Sequence, residues 1–278
     1  MIPRGSNGSR SAIDAAPVIT QSSPAPAVPA SDPTAASAVL LPTLRDHGRR
    51  QMAIDAWLLR RADRPMLRLY HWSAPTLSLG RHQRHWPAHW PSLAEELDLP
   101  VVRRPSGGRA VLHAGGLTYA VVWPRAPRPA AEAYRAISLW LMDAFASLGI
   151  PLEPGGGWQR HQPSHCFGTA TPADLVEAGG VKRIGSAQRW HGADLLQHGE
   201  ILLEPPGDLW QALFGSPAPE LRPLPVPVEA LEHRLVTLAQ GRLWSDRLLP
   251  QGWPDQEGAP WGSAWGDTSP LVTIPWAT

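Results

Sequence analysis

The sequence predicts an α+β domain: a mixed, largely antiparallel sheet flanked by helices. Three observations carry this expectation. Strand-like runs with period-two alternation cluster in the middle of the chain. They are grouped between helical stretches and do not alternate strictly with them, which argues against a regular βαβ repeat. Of the 278 residues, 43% are apolar, enough for one sizeable core.

Residues 1–43 are dominated by Ala, Pro, Ser and Thr with few large apolar side chains, so they are expected to form a disordered tail. Order begins near Leu44. Met52, Asp55, Ala56 and Leu59 fall at helical spacing, and the charged run 60–64 followed by Pro65 closes that helix. Two short alternating runs follow, 67–72 and 76–79, joined by Ser73-Ala74-Pro75, which reads as a hairpin. The densest strand signal, 101–123, is expected to supply the central sheet, with a Gly-Gly turn between two of its strands. Over 131–148, Ile137, Leu141, Ala144, Phe145 and Leu148 make one apolar stripe, and Gly149 with Pro151 supplies the stop. Strands resume over 182–188 and 195–203, interrupted by Gly192 and Gly199. The main domain is thus expected over 44–205. A C-terminal extension, 206–278, reads as helical in patches, notably 228–243, and otherwise loop-like, packed on or appended to the main domain.

Composition narrows the function. Lys and Arg number 25 against 24 Asp and Glu, so no global basic field favours a nucleic-acid partner. The single cysteine, Cys166, excludes an intramolecular disulfide and fits a cytoplasmic protein. No apolar run reaches the length of a membrane span, and the first residues lack the apolar block of a secretory signal; a soluble protein without a membrane partner is expected. The 14 tryptophans follow no repeat period and read as packing residues. The histidine pairs His82/His85 and His161/His165 lack the glutamate-bearing helical pattern of a zinc enzyme, so no metal site is predicted.

Three segments could carry chemistry. In Arg103-Arg104-Pro105-Ser106-Gly107-Gly108-Arg109-Ala110-Val111-Leu112-His113, two glycines allow close backbone approach, and arginines with free turn amides can hold phosphate or carboxylate oxygens. The Lys-Ser/Thr pair of a P-loop is missing. Read alone, such a turn is more often only a turn. In Lys182-Arg183-Ile184-Gly185-Ser186-Ala187-Gln188, an ammonium stands three residues before a glycine, a place where a ligand carbonyl or phosphate can approach; a solvent-facing lysine is the plain alternative. Cys166 lies in a Gly/Pro-rich neighbourhood that favours exposure, with His161 and His165 near enough in sequence to lower its pKa, although a lone cysteine is usually a small buried hydrophobe.

In this order the segments resemble the lipoate-protein ligase A and octanoyltransferase family. The resemblance runs through Gln51-Met52-Ala53-Ile54-Asp55, the strands 67–72 and 76–80, the arginine-glycine block, the lysine block and Leu196-Gln197-His198-Gly199-Glu200-Ile201-Leu202-Leu203, covering about 44–204. It implies the mixed α/β fold shared with biotin ligases. It implies an acyl or acyl-adenylate pocket lined by Arg104, Ser106, Gly107, Gly108, Arg109 and His113, with Gly185, Ser186 and Ala187 beside them. Lys182 would then sit against the reacting carbonyl. There are two departures. Ala114 stands where an aspartate commonly follows the histidine, and Arg109 replaces the third glycine of many ligases. Arginine there, with a Cys-Phe pair upstream of the lysine, is familiar from the cysteine-dependent octanoyltransferases, which makes Cys166 a candidate nucleophile.

The resemblance leaves three functions. A transferase would carry an octanoyl or lipoyl group from acyl carrier protein through a Cys166 thioester to a lysine of a lipoyl domain, in 2-oxoacid dehydrogenases or the glycine cleavage H protein. It needs no cofactor, because a thioester is already activated. A lipoate-protein ligase would need ATP and magnesium to form a lipoyl-adenylate. A non-catalytic acyl- or partner-binding homologue would bind without turnover. Local positive charge from Arg81, Arg84, Arg103, Arg104 and Arg109 is expected to steer acidic carrier domains.

Overall fold

The computed structural model describes residues 37–156, 165–168, 170–244 and 248–253. The first part of the chain forms β1 (Ala38–Leu40), β2 (Leu44–Asp46), α1 (Gly48–Arg61), β3 (Met66–Trp72), β4 (Thr76–Leu79) and α2 (Trp90–Glu96). The middle forms β5 (Val101–Arg103), β6 (Val111–His113), β7 (Gly116–Trp123), α3 (Ala130–Ala146) and β8 (Glu153–Pro154). After a single 3-10 turn, Cys166–Gly168, come β9 (Leu175–Val176), β10 (Lys182–His191), β11 (Asp194–Leu202), α4 (Gly207–Phe214), α5 (Val228–Leu243) and β12 (Leu248–Pro250).

The large sheet runs β12-β1-β3-β7-β11-β10-β9-β8, with β2 also paired to β3. From β3 through β8 every pairing along this path is antiparallel, whereas β1 is parallel to both β3 and β12. The α+β expectation therefore stands, with the parallel pairings of this sheet confined to β1, β2 and β12 and one more, β4 with β5, in the small sheet. Because side chains alternate across a strand, each face has its own partner. One face carries Leu67, Leu69, Tyr119, Val121 and Ile201 and is covered by Ile137, Trp140, Leu141 and Phe145 of α3, with Leu231 and Leu235 of α5 in the same core. Trp140 is fully buried, and its Nε1 donates to the carbonyl of Leu235 at 2.8 Å, which ties α3 to α5. Full burial of a large side chain of this kind is worth roughly 1.5–3 kcal/mol. The opposite face packs against Met52, Ile54, Leu58 and Leu59 of α1.

Several expectations are corrected. The runs 67–72 and 76–79 form strands but no hairpin: β3 pairs with β1, β2 and β7, while β4 lies in a second sheet of order β5-β4-β6. Pairing each strand elsewhere buries both faces of each, which a free hairpin cannot do. For the same reason the Gly-Gly segment is not a turn between neighbours, since β4 stands between β5 and β6. Gly199 does not interrupt β11; it is paired across to Ser186 and Tyr119. An added Cβ there would lie 2.6 Å from the Tyr119 ring and 2.8 Å from the Gly185 carbonyl, so glycine is required by crowding. Order starts before Leu44, because β1 adds a backbone ladder that local composition does not reveal; residues 1–36 of the expected tail lie outside the described residues. The C-terminal stretch contributes a strand as well as helices, since β12 extends the sheet beyond β1. No helix among the described residues is long and apolar enough to cross a membrane.

Candidate functional site

The site forms where the small sheet meets the α1 face of the large one. Period-two register on that face brings Arg68 and Tyr70 of β3, Thr118 of β7, and His198 and Glu200 of β11 to the same side. All five are polar and all are buried, at 0–4% exposure. Burial drives such groups to pair, and here they form two hydrogen-bonded chains that leave only Arg68 Nε and Glu200 Oε1 of these five residues without a partner.

In the first chain, Asp55 of α1 accepts from Arg68 at 2.6 Å and from the Tyr70 hydroxyl at 2.9 Å, and its Oδ2 meets His198 Nδ1 at 2.7 Å. The other nitrogen of His198 meets the Ser106 hydroxyl at 2.5 Å. Burial alone would raise the Asp55 carboxyl, but the Arg68 charge and the bonds from His198 and Tyr70 outweigh it and leave the pKa below its ordinary value. The second chain joins Ser78 to His113 Nε2 at 2.7 Å and His113 Nδ1 to Glu200 at 2.7 Å. Thr118 also donates to Glu200, and Trp72 stacks on His113 with centroids 3.8 Å apart. Burial lowers the pKa of His113 despite the opposing charge of Glu200. Since Arg104 donates to the Ser78 hydroxyl, that hydroxyl donates onward to the neutral ring, which in turn donates to Glu200. Both chains have the serine, histidine and carboxylate of a hydrolase triad, yet Ser78 and Ser106 are wholly buried, so neither oxygen can meet a substrate.

The arginine-glycine block is organised around Arg104. Its guanidinium donates to the carbonyls of Gly107 at 2.8 Å, Arg109 at 2.6 Å and Ser78 at 3.0 Å. These bonds hold the turn closed, so Arg104 shapes the cradle as well as lining the cavity. Burial pulls its pKa down to about 10, which leaves it charged at neutral pH. Gly108 has φ +91°, a left-handed conformation that favours glycine, whereas a Cβ on Gly107 would meet nothing within 4 Å.

Cys166 and Lys182 come together. The Lys182 ammonium donates to the Cys166 carbonyl at 2.8 Å and to its sulfur at 3.2 Å, and pairs with Asp174 at 2.9 Å. Asp174 is itself fixed by the backbone N–H and hydroxyl of Thr171, at 2.8 and 2.9 Å. On the far side Gly185 removes bulk: a Cβ there would lie 3.4 Å from the sulfur and 3.1 Å from Lys182 Cε. Cys166 is half-buried and its N–H is tied to the Ala110 carbonyl at 2.8 Å, so the sulfur is both placed and reachable.

A cavity with about 410 Å³ of empty space, including its open mouth, leads from this sulfur into the sheet. Cys166, Arg104, Gly108, Gly185, Ser186 and Ala187 line it near the sulfur, and Met52, Tyr70, Val111, His113 and Thr118 are among its other walls. Of the residues expected from sequence, Ser106, Gly107, Arg109 and Lys182 do not line it; Lys182 reaches it only through its contact with the Cys166 sulfur. Ser106 turns to His198, and Arg109 contributes its carbonyl to Arg104. His165 does not supply the positive charge expected beside the thiol. Its ring stacks on Phe214 at 4.0 Å, and burial, with the charges of Lys182 and Arg109, pulls its pKa down to about 4. His161 lies outside the described residues. Sequence reasoning did not find Asp174, Asp55 as an ion-pair partner, or the roles of His198 and Glu200. For the last two, the polar alternation of β11 was a readable signal; Asp174 lies in a turn and gives none. Among the described residues, no three His, Cys, Asp or Glu are grouped to hold a metal ion.

Residues 47–235 match the lipoyl protein ligase A/B catalytic domain. The octanoyltransferase LipM of Carboxydothermus hydrogenoformans is 41% identical over 166 residues, which cover 56% of this chain and 61% of that protein. The chain thus spans less than two thirds of the length of this curated relative. In fold it is similar to a Thermoplasma acidophilum protein solved with bound lipoic acid, at TM-score 0.67 and 19% identity over 79% of this chain and 90% of that one. It is also similar to a lipoate-protein ligase A bound with ATP, at TM-score 0.66 and 18% identity over 79% and 90%. The family match covers most of the chain and the whole of the cavity just described, and the chain belongs to the lipoyl protein ligase A/B catalytic domain family.

Proposed function

We propose that this chain is a cysteine-dependent octanoyltransferase, acting on an acyl carrier protein thioester and a lipoyl-domain lysine. The observation that carries the reading is the pairing of a buried ammonium with a half-buried thiol that itself lines a largely apolar cavity. The octanoyltransferase relative supports the same choice. In the first half-reaction the Cys166 thiolate attacks the thioester carbonyl, and the carrier's thiol leaves with a proton. In the second, the lysine amine attacks the carbonyl carbon of the Cys166 thioester, the carbon–sulfur bond breaks as the amide forms, and a proton from the amine returns Cys166 to its thiol.

Lys182 serves both halves by its position. Its ammonium reaches Asp174, the Cys166 carbonyl and the sulfur. The cation therefore lies where negative charge gathers, first on sulfur and then on the carbonyl oxygen of the tetrahedral intermediate. Asp174 and the Cys166 carbonyl keep the ammonium beside that oxygen once the sulfur is acylated. Met52 and Val111 offer apolar surface to the chain beyond the carbonyl. The transfer needs neither ATP nor magnesium, because thioester exchange is nearly isoenergetic and amide formation from it is downhill.

Incubation with octanoyl-acyl carrier protein, followed by intact-mass and peptide analysis, tests the reading. The expected result is one octanoyl group on Cys166, discharged on adding a lipoyl domain and absent in Cys166→Ala. Product formed only from free acid with ATP and magnesium, and surviving Cys166→Ala, would replace the transferase by a ligase. Binding with no turnover under either regime would leave a non-catalytic homologue.

A further inference from the structure

A second groove adjoins the cavity and shares Met52 and Arg104 with it. It encloses about 1050 Å³ of empty space including its open mouth and is lined by Arg60, Arg81, Arg103, Arg189, His82 and His191, with no carboxylate among its described lining residues. Arg103 donates to the carbonyls of Gly80 and Gln83 at 2.8 and 2.9 Å, contacts that orient it without neutralising it. Among the described residues Arg60, Arg81 and Arg189 form no ion pair. So many uncompensated cations on one concave surface repel one another unless an anion sits among them.

The strand β10 connects the two sites. Alternate residues of one face run Gly185, Ala187, Arg189, His191: the first two line the cavity and the last two line the groove. At the rise of an extended strand, Arg189 stands about 13 Å and His191 about 20 Å beyond Gly185, whose missing Cβ would lie 3.4 Å from the reactive sulfur. An extended pantetheine arm measures roughly 16 Å from its sulfur to its phosphorus by ordinary bond lengths. A thioester sulfur at Cys166 and a phosphodiester among the arginines would therefore be spanned by one arm lying along the strand.

Resting on the reading of Cys166 as the acyl acceptor, we propose that this groove binds the phosphate of the donor's phosphopantetheine arm. The arm ends in an anionic phosphate in either carrier, a phosphodiester on a protein and a diphosphate in coenzyme A. Steering by diffuse charge would act at a distance; this is a specific seat for one phosphate, with Arg81 and Arg189 as its exposed and half-exposed members.

The test compares octanoyl-4′-phosphopantetheine with octanoyl-pantetheine, which differ only in the phosphate, by the rate of Cys166 octanoylation on the full chain. The wild-type protein is expected to prefer the phosphorylated donor by about tenfold or more, as one lost charge-assisted contact implies. In Arg81→Gln with Arg189→Gln that preference should fall towards unity, with the melting temperature retained. Equal rates with both donors in the wild type would overturn the groove assignment while leaving the acyl-cysteine intact. No acylation by either donor would overturn the transferase reading itself. Octanoyl-coenzyme A and octanoyl-acyl carrier protein distinguish the sources. A parallel loss with both supports the shared phosphate, whereas a loss confined to the carrier protein would show that the arginines meet its acidic surface and would refute the proposal. So would a loss seen only in ATP-dependent acylation from free octanoate.

Discussion

Gly80, just past β4, is the most informative single position for the cradle. Its φ lies outside the left-handed region, so alanine has no backbone penalty there; the obstacle is steric. A Cβ on Gly80 would lie 1.8 Å from the carbonyl oxygen of Gly108, where real Cβ contacts essentially never fall under 3.0 Å, so the backbone must give by about 1.2 Å. The atom in the way belongs to the Gly-Gly turn, which Arg104 and the bond from the Arg81 N–H to the Ser106 carbonyl hold in place. Gly80→Ala should therefore shift that turn, and with it Gly108 at the cavity wall. Overpacking of this kind costs about 1–3 kcal/mol. At roughly 2–4 °C per kcal/mol for a domain of this size, melting falls by several degrees. The functional loss should be larger, since a displacement near 1 Å of groups that position substrate costs on the order of 100-fold. Gly107→Ala is the control, because its new methyl meets nothing within 4 Å and Gly107 does not line the cavity. The assay pairs thermal melting with single-turnover octanoylation of Cys166. A Gly80→Ala protein acylated within about twofold of wild type would refute the argument that this turn positions the acyl group.

Three further outcomes follow from the buried charges. Asp174→Asn removes the carboxylate from a buried ammonium and should cost about 3 kcal/mol in urea unfolding while slowing acylation; unchanged stability would mean the ion pair is not what holds Lys182. His165, held near pKa 4 against an ordinary 6.5, takes up its proton more readily unfolded than folded, so its contribution is present above pH 6.5 and is lost as pH falls towards 4, about 3 kcal/mol in all. His165→Phe should flatten the stability profile across that window, and parallel wild-type and variant profiles would refute the linkage. The depressed Asp55 carboxyl adds stability present above its unfolded pKa of 3.8 and lost as pH falls through the lower folded value. Asp55→Asn should therefore destabilise the protein at pH 7 by about 3 kcal/mol through the unpaired Arg68, with a smaller difference in strong acid; denaturation at graded pH measures both.

The local patterns of α1, α3 and α5 were legible because each buries one stripe at the helical period, and that period survives whatever the helix packs on. Strand existence was legible for the same reason, but strand pairing was not: nothing local distinguishes β3 followed by a hairpin partner from β3 followed by a strand that leaves for another sheet. The polar alternation of β11 illustrates the limit. Read locally, His198 and Glu200 belong to a solvent face; in the fold they are buried, and bonds to distant residues such as Asp55 and His113, 143 and 87 residues away in sequence, offset the cost of that burial.

Residue types and their order, by themselves, determined the α+β class, the helical stripes, the resemblance to a family and the pairing of a cysteine with a downstream lysine as candidates. Only the tertiary structure decided that the two meet at 3.2 Å, that Asp174 anchors the lysine, that the Arg104 guanidinium closes the Gly-Gly turn, and that His165 is uncharged. The physical reason is one of range. Side-chain periodicity is set by the backbone within a few residues, whereas charge state and hydrogen-bond partners depend on what distant strands bring alongside and on how much water they displace.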